Sequence, residues 1–86
     1  MNIKVNGKCR YISQEKKVTG TKEAHTFKIL VLETIENSYI AVHVWNDKLH
    51  QIELYKVGDI LELDCRVESH KNRKNPDLWY HKILLV

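Results

Sequence analysis

The first run of the chain alternates strictly. Over residues 3–12, Ile3, Val5, Gly7, Cys9 and Tyr11 fall on one face of an extended chain and Lys4, Asn6, Lys8 and Arg10 on the other. That is the period of two expected of a half-buried strand. Gly7 within it predicts a bulge or bend of the kind a barrel needs. From Ser13 to His25 the pattern lapses into a polar stretch with Gly20, Lys16, Lys17 and Lys22, a long basic loop. Phe27 to Thr34 is a second strand, so continuously apolar that both faces are expected to be covered in part. Glu36-Asn37-Ser38 turns the chain. In the third strand, Tyr39 to Trp45, Ile40, Val42 and Val44 point one way and Tyr39, Ala41, His43 and Trp45 the other.

Asn46-Asp47 has the side chains of a helix N-cap, and Leu49, Ile52 and Tyr55 follow at helical spacing. A short helix is predicted there, ended by Val57-Gly58-Asp59. Ile60 to Glu68 is a fourth strand with Leu61, Leu63, Cys65 and Val67 inward, Ser69 to Asp77 a polar loop, and Trp79 to Val86 a fifth strand. Three strands, a helix and two strands is the order of an all-β, five-stranded OB-fold barrel with a short helix between strands 3 and 4. An SH3-like barrel would not place its main helical segment there. The 86 residues make one such domain.

Composition removes several classes of function. No stretch approaches the apolar length of a membrane span, and the lysines and arginine near the start are unlike a signal peptide, so a cytoplasmic location is expected. Cys9 and Cys65 are the only cysteines and read as reduced, partly buried thiols. A disulfide would require the first and fourth strands to be neighbours. Five histidines and two cysteines include no Cys-x-x-Cys or His-x-x-x-His pair, so no metal and no other cofactor is expected. There is no glycine-rich phosphate loop, nucleophile elbow or credible carboxylate pair, which argues for a binding module rather than an enzyme. Glu62, Asp64 and Glu68 share a solvated strand face.

Charge is distributed unevenly. Residues 1–32 carry seven basic and two acidic side chains, residues 33–68 three and eight, and residues 69–86 four and one. Brought together in space, the two basic ends would attract phosphate. An ordinary solvated surface would carry the same residues.

From Tyr39 onward the text YIAVHVWNDKL, LYKVGDILELDCRVESHK and LWYHKILLV resembles the second half of bacterial single-stranded-DNA-binding proteins and of the related primosomal replication protein. The shared pattern is an aromatic third strand running into a short helix, a Lys-x-Gly-polar turn (here Lys56-Val57-Gly58-Asp59), an apolar strand, a basic loop and a final strand. The resemblance covers a little over half the chain. It implies stacking aromatics at Tyr39 and Trp45 and phosphate contacts from the loop Ser69 to Asp77. It further implies a role in DNA replication, recombination or transfer, and the short chain fits a phage, plasmid or other mobile genetic element. The acidic tail by which bacterial members recruit replication enzymes is missing from this sequence, and tetramer formation does not carry over.

Single strands offer base faces and a charged backbone, which call for aromatics on a sheet face rimmed by basic loops. Tyr39, His43, Trp45 and Trp79 are the candidates for bases, and Lys16, Lys17, Lys28, Lys71, Arg73 and Lys74 for phosphates. Each has a plainer reading. Trp45 serves equally as a barrel-end core residue, His43 as a structural histidine, and the cations as solvated loop charges. Trp79 and Tyr80 point to opposite faces, so one of them is expected in the core, and Trp79 is preferred as the contact. Phe27 is expected in the core, Tyr55 against the barrel, and Tyr11 fits either side. Single-stranded DNA is the expected partner. The alternatives are an OB protein-interaction subunit using the acidic segment Glu53 to Glu68, with replication proteins such as a helicase or primase as partners, or RNA binding. Cold-shock-type aromatic clusters are missing. A homodimer through an exposed edge or the first strand stays open.

Overall fold

The computed structural model describes residues 1–18 and 25–86. Among the described residues six strands run in chain order: β1 (Asn2–Ile12), β2 (Lys16–Val18), β3 (His25–Glu33), β4 (Tyr39–Trp45), β5 (Ile60–Lys71) and β6 (Trp79–Leu85). A 3₁₀ helix, Asn46–Ile52, joins β4 to β5. The lateral order is β1-β5-β6-β4-β3-β2, and a further pairing of β1 with β3 closes β1, β5, β6, β4 and β3 into a ring. All pairs are antiparallel except β4 with β6, where Val42 meets Ile83 and His43 meets Leu84. This is the five-stranded OB-type barrel that the element order predicts, with β2 as a short addition on the flank of β3. No helix among the described residues is long and apolar enough to cross a membrane.

The barrel interior collects the alternating residues of every strand. Leu30, Leu32, Val42, Val44, Cys9 and Cys65 are fully buried, and Val5, Leu63, Leu85 and Ile52 complete the core. Ile52 reaches it from the 3₁₀ helix, with Leu49 and Tyr55 packed alongside, as their spacing predicts. Cys9 lies opposite Leu32 on β3 and Cys65 opposite Ile3 on β1. The two strands are neighbours, but the thiols sit six residues apart along β1 and are both free. They are wholly buried rather than half buried, and desolvation pushes the Cys65 thiol up to about 11.

β1 serves two partners. Its first part pairs with β5, from Asn2 opposite Arg66 to Lys8 opposite Ile60. Its second part pairs with β3, and the register slips between Cys9 and Tyr11. The bulge therefore lies at Arg10 and not at Gly7. One extra residue reverses the parity, turning Tyr11 out to solvent and Ile12 inward. Gly7 instead permits close approach, since a Cβ there would stand 2.6 Å from the Glu33 carbonyl oxygen. Ser13, buried, continues the seam: its Oγ accepts from the Ile29 amide at 2.8 Å and donates to the Gln14 carbonyl at 2.9 Å.

Three boundaries depart from expectation. The stretch read as one loop from Ser13 to His25 contains β2; Lys22 lies outside the described residues. β5 runs past Glu68 to Lys71, so the β5–β6 connection is shorter than the predicted loop. Asn46 and Asp47 do not cap the helix: Trp45 holds the cap position and no side-chain cap bond forms. Asn46 is in the left-handed region, φ 46°, which asparagine tolerates better than most residues. Its amide group is used sideways instead, accepting from the Thr26 N–H and donating to His25 Nδ1, both at 3.1 Å.

Candidate nucleic-acid interface

Cross-strand pairing decides which side chains share the outer face of β3 and β4. Phe27 lies opposite Trp45, Ile29 opposite His43, Val31 opposite Ala41 and Glu33 opposite Tyr39. Since the inner set, Lys28, Leu30 and Leu32, pairs with Val44, Val42 and Ile40, these four pairs must point outward. Phe27 is thus on the outer face and not in the core. Its ring stacks on Trp45 with centroids 4.6 Å apart and an interplanar angle of 29°, and on His43 at 6.2 Å. His25 meets the Trp45 edge at 6.4 Å, held there by Asn46. All four rings are partly exposed. A cluster of aromatics half open to water on the outside of a barrel is not needed by the core beneath it.

His43 is anchored into this cluster from β4. Its Nδ1 is buried and has no hydrogen-bond partner among the described residues. Burial holds the imidazole below the ordinary histidine range, and the Lys82 ammonium adds to the effect. The folded state therefore resists a proton that the unfolded chain accepts. His43 contributes stability that is present above the ordinary histidine pKa and is lost as pH falls through its depressed folded value. The melting temperature is expected to drop on acidification below about pH 6.5, and His43→Phe, measured by thermal melts across that range, is expected to lose part of the slope. An identical slope in the variant would assign the dependence elsewhere.

The other candidates scatter. Lys16 pairs with Phe27 and shares its face, whereas Lys17 pairs with Thr26 and points the other way. Lys28 has the parity of the core residues and leaves the aromatic face, contrary to the expectation that it reaches the groove. Tyr39 is outward as expected but six residues from Trp45, roughly 20 Å along an extended strand. Opposite it on β3, the Glu33 carboxylate takes Arg10 Nη2 at 2.8 Å and lies near the Tyr39 hydroxyl. The guanidinium and the hydroxyl hold the Glu33 carboxyl below the usual range.

Trp79 and Tyr80 are both exposed, at 52% and 51%, contrary to the expectation that one is core. The β5–β6 hairpin continues beyond the barrel, so neither face of it is covered there. Lys71 pairs with Trp79 and His70 with Tyr80, and Arg73 and Lys74 are exposed in the connection. That connection is built around Asn72, which the sequence did not mark out. Asn72 Oδ1 accepts from the amides of Lys74 (2.8 Å) and Asn75 (3.1 Å), and its Nδ2 donates to the Tyr80 hydroxyl at 3.0 Å. The basic loop is a turn whose backbone is held by the Asn72 side chain.

Among the described residues, two depressions bear on the choice of site. The larger, about 870 Å³, lies away from the aromatics, between β1 and the β3–β4 turn, and mixes Lys4, Lys8, Glu33 and Glu36 with Ile35 and Ile60. The smaller, about 500 Å³, adjoins Trp45. Size alone does not favour the first, which has no aromatic ring in its lining. The chemistry suited to a base is beside the second.

A family model described as Domain of unknown function (DUF3127) matches residues 4–85, so the chain belongs to that family. No curated protein and no solved structure matches the chain.

Proposed function

We propose that this member of the family is a single-stranded-DNA-binding module that works by stacking bases on the outer face of β3 and β4 and by holding phosphates with its basic hairpin. The observation that carries this reading is the partly exposed stack of Phe27, Trp45 and His43. OB barrels present oligonucleotides to this face, between the loop after their first strand and the loop joining their last two. Here Lys16 flanks the stack on one side, and Lys71, Arg73 and Lys74 occupy the last-loop hairpin. Stacking tolerates any base, so the reading is of a binder with little sequence preference at the stack itself. A place in DNA replication, recombination or transfer follows from the resemblance of residues 39–86, a cytoplasmic location from the composition of the chain, and a helicase or primase as partner from the alternative reading as a protein-interaction subunit; none of these rests on the geometry.

The test is fluorescence-anisotropy titration of labelled oligo-dT at several salt concentrations, with duplex DNA and oligo-U as competitors. Binding is expected to resist duplex and to weaken with salt. Lys71→Ala, Arg73→Ala and Lys74→Ala combined are expected to reduce the slope of log K against log salt by about 2, given roughly 0.7 per phosphate contact on a single strand. An unchanged slope would remove the hairpin from the site, and preferential competition by oligo-U would make RNA the ligand.

A second reading rests on the larger depression. Ile35 is 99% and Ile60 78% exposed beside it, and apolar side chains so placed suit a protein partner. Absence of oligonucleotide binding at low salt would favour that reading.

A further inference from the structure

Trp45 belongs both to the aromatic stack and to the smaller depression. β4 lies between β3 and β6. From the β3 side Phe27 stacks on the indole. Trp45 also lines the depression of about 500 Å³, together with Leu84 and Leu85 of β6. Val86 lines it as well, and Asp47 and Lys48 of the 3₁₀ helix with Arg66 and Glu68 of β5 supply its polar rim. The volume is within the range of small-ligand sites, which are apolar clefts with a few polar groups that fix orientation. Part of the lining is aromatic, part is aliphatic, and the rim carries two cations and two carboxylates. That balance suits a neutral base with donors and acceptors better than it suits a phosphate.

The rim groups are available. Arg66 Nη2 meets Glu68 Oε1 at 2.7 Å, and Glu68 Oε2 lies 3.5 Å from His70 Nε2. The Arg66 and Glu68 side chains are 56% and 36% exposed, and an ion pair so open to water exchanges partners at little cost. An arginine fork matches the O6 and N7 acceptors of guanine, and a carboxylate accepts from an exocyclic amino group. Guanine is the base that presents the O6/N7 acceptor pair together with an amino donor, and in a single strand these edges are open to reading.

We propose that the depression beside Trp45 is a base slot that prefers guanine, with Trp45 stacking the base, Arg66 binding its O6/N7 edge, and Glu68 or Asp47 accepting from its amino group. The inference rests on the single-strand reading above and adds a sequence preference that stacking alone does not provide. It extends the site from β3 and β4 across β6 to β5, and it gives Arg66 and Glu68, which the sequence did not mark out, a direct contact with the ligand.

The experiment is anisotropy titration of labelled oligo-dT of about 15 nucleotides, compared with the same oligomer carrying one central dG, dA or dC. The dG oligomer is expected to bind about fivefold or more tightly than oligo-dT, with dA and dC between them or equal to oligo-dT. Arg66→Gln, at an exposed position that the core does not use, is expected to bring the dG-to-dT affinity ratio close to one. Equal affinity for all four oligomers, with firm binding of each, would overturn the slot and leave the single-strand reading standing. A dG preference that survives unchanged in Arg66→Gln would overturn the assignment of the O6/N7 edge to Arg66. No binding of any oligomer would overturn both readings.

Discussion

Trp45→Ala is expected to weaken oligo-dT binding about 5- to 150-fold, the equivalent of one base–aromatic stack at roughly 1–3 kcal/mol. The effect falls at the upper end if the indole organises its neighbours. Phe27 stacks on it, His25 meets its edge, and it walls the smaller depression. Removing the ring therefore disturbs the stack and the slot together. The fold is expected to survive, because Trp45 is outside the buried core of Leu30, Leu32, Val42, Val44, Cys9 and Cys65. Trp45→Phe keeps a ring at the same place and is expected to retain most of the affinity. Intrinsic fluorescence quenching should follow the same order, measured beside circular dichroism to establish folding. A folded Trp45→Ala protein with wild-type affinity would show that the outer face of β3 and β4 is not where the strand lies.

The largest expected loss of stability comes from the smallest side-chain change. Gly7→Ala would place a Cβ 2.6 Å from the Glu33 carbonyl oxygen and 3.1 Å from Leu32 Cβ. A backbone oxygen cannot swing aside as a long side chain can, so β1 and β3 must separate. This is the place where β1 passes from β5 to β3 and the ring closes. Overpacking of this kind costs about 1–3 kcal/mol, a large share of the margin of a domain this size. The urea midpoint of Gly7→Ala is expected to fall accordingly at an unchanged m-value. Asn6→Ala, one residue earlier and exposed, is the control and should move it little. A midpoint for Gly7→Ala equal to that of the control would mean that the β1–β3 seam yields without loss.

Most of the strands were legible because each carries its own signal. Period-two alternation marks β4 at its observed bounds, and the inward sets Ile40, Val42, Val44 and Leu63, Cys65 follow from it without knowledge of any partner. The spacing of Leu49, Ile52 and Tyr55 likewise points to a helical segment packed on the barrel. Element order then suffices for the OB-type ring, since few closed arrangements accommodate three strands, a helix and two strands.

Lateral relations have no such local signal. Phe27 sits in an almost continuous apolar run, where alternation cannot separate inside from outside. Only its register opposite Trp45 turns it outward and assembles the stack. Tyr11 shares the period of Ile3, Val5 and Cys9 but fits either side, and the bulge between Cys9 and Tyr11 decides for the outside, because one inserted residue shifts every later side chain to the other face. Trp79 and Tyr80 were expected to divide between core and solvent. Both are exposed, because the hairpin outruns the barrel that would cover one of them. Lys28, apparently free to reach the groove, is carried to the inner parity by its pairing with Val44. Arg66 and Glu68 alternate with core residues like any solvated pair. What sets them beside Trp45 is the parallel contact of β4 with β6, which pairs Val42 with Ile83 far along the chain and leaves no trace in the sequence around either one. Alternation along a strand is a local property of the chain, while adjacency across the barrel depends on closure of the whole ring, and the candidate site is built almost entirely from adjacency.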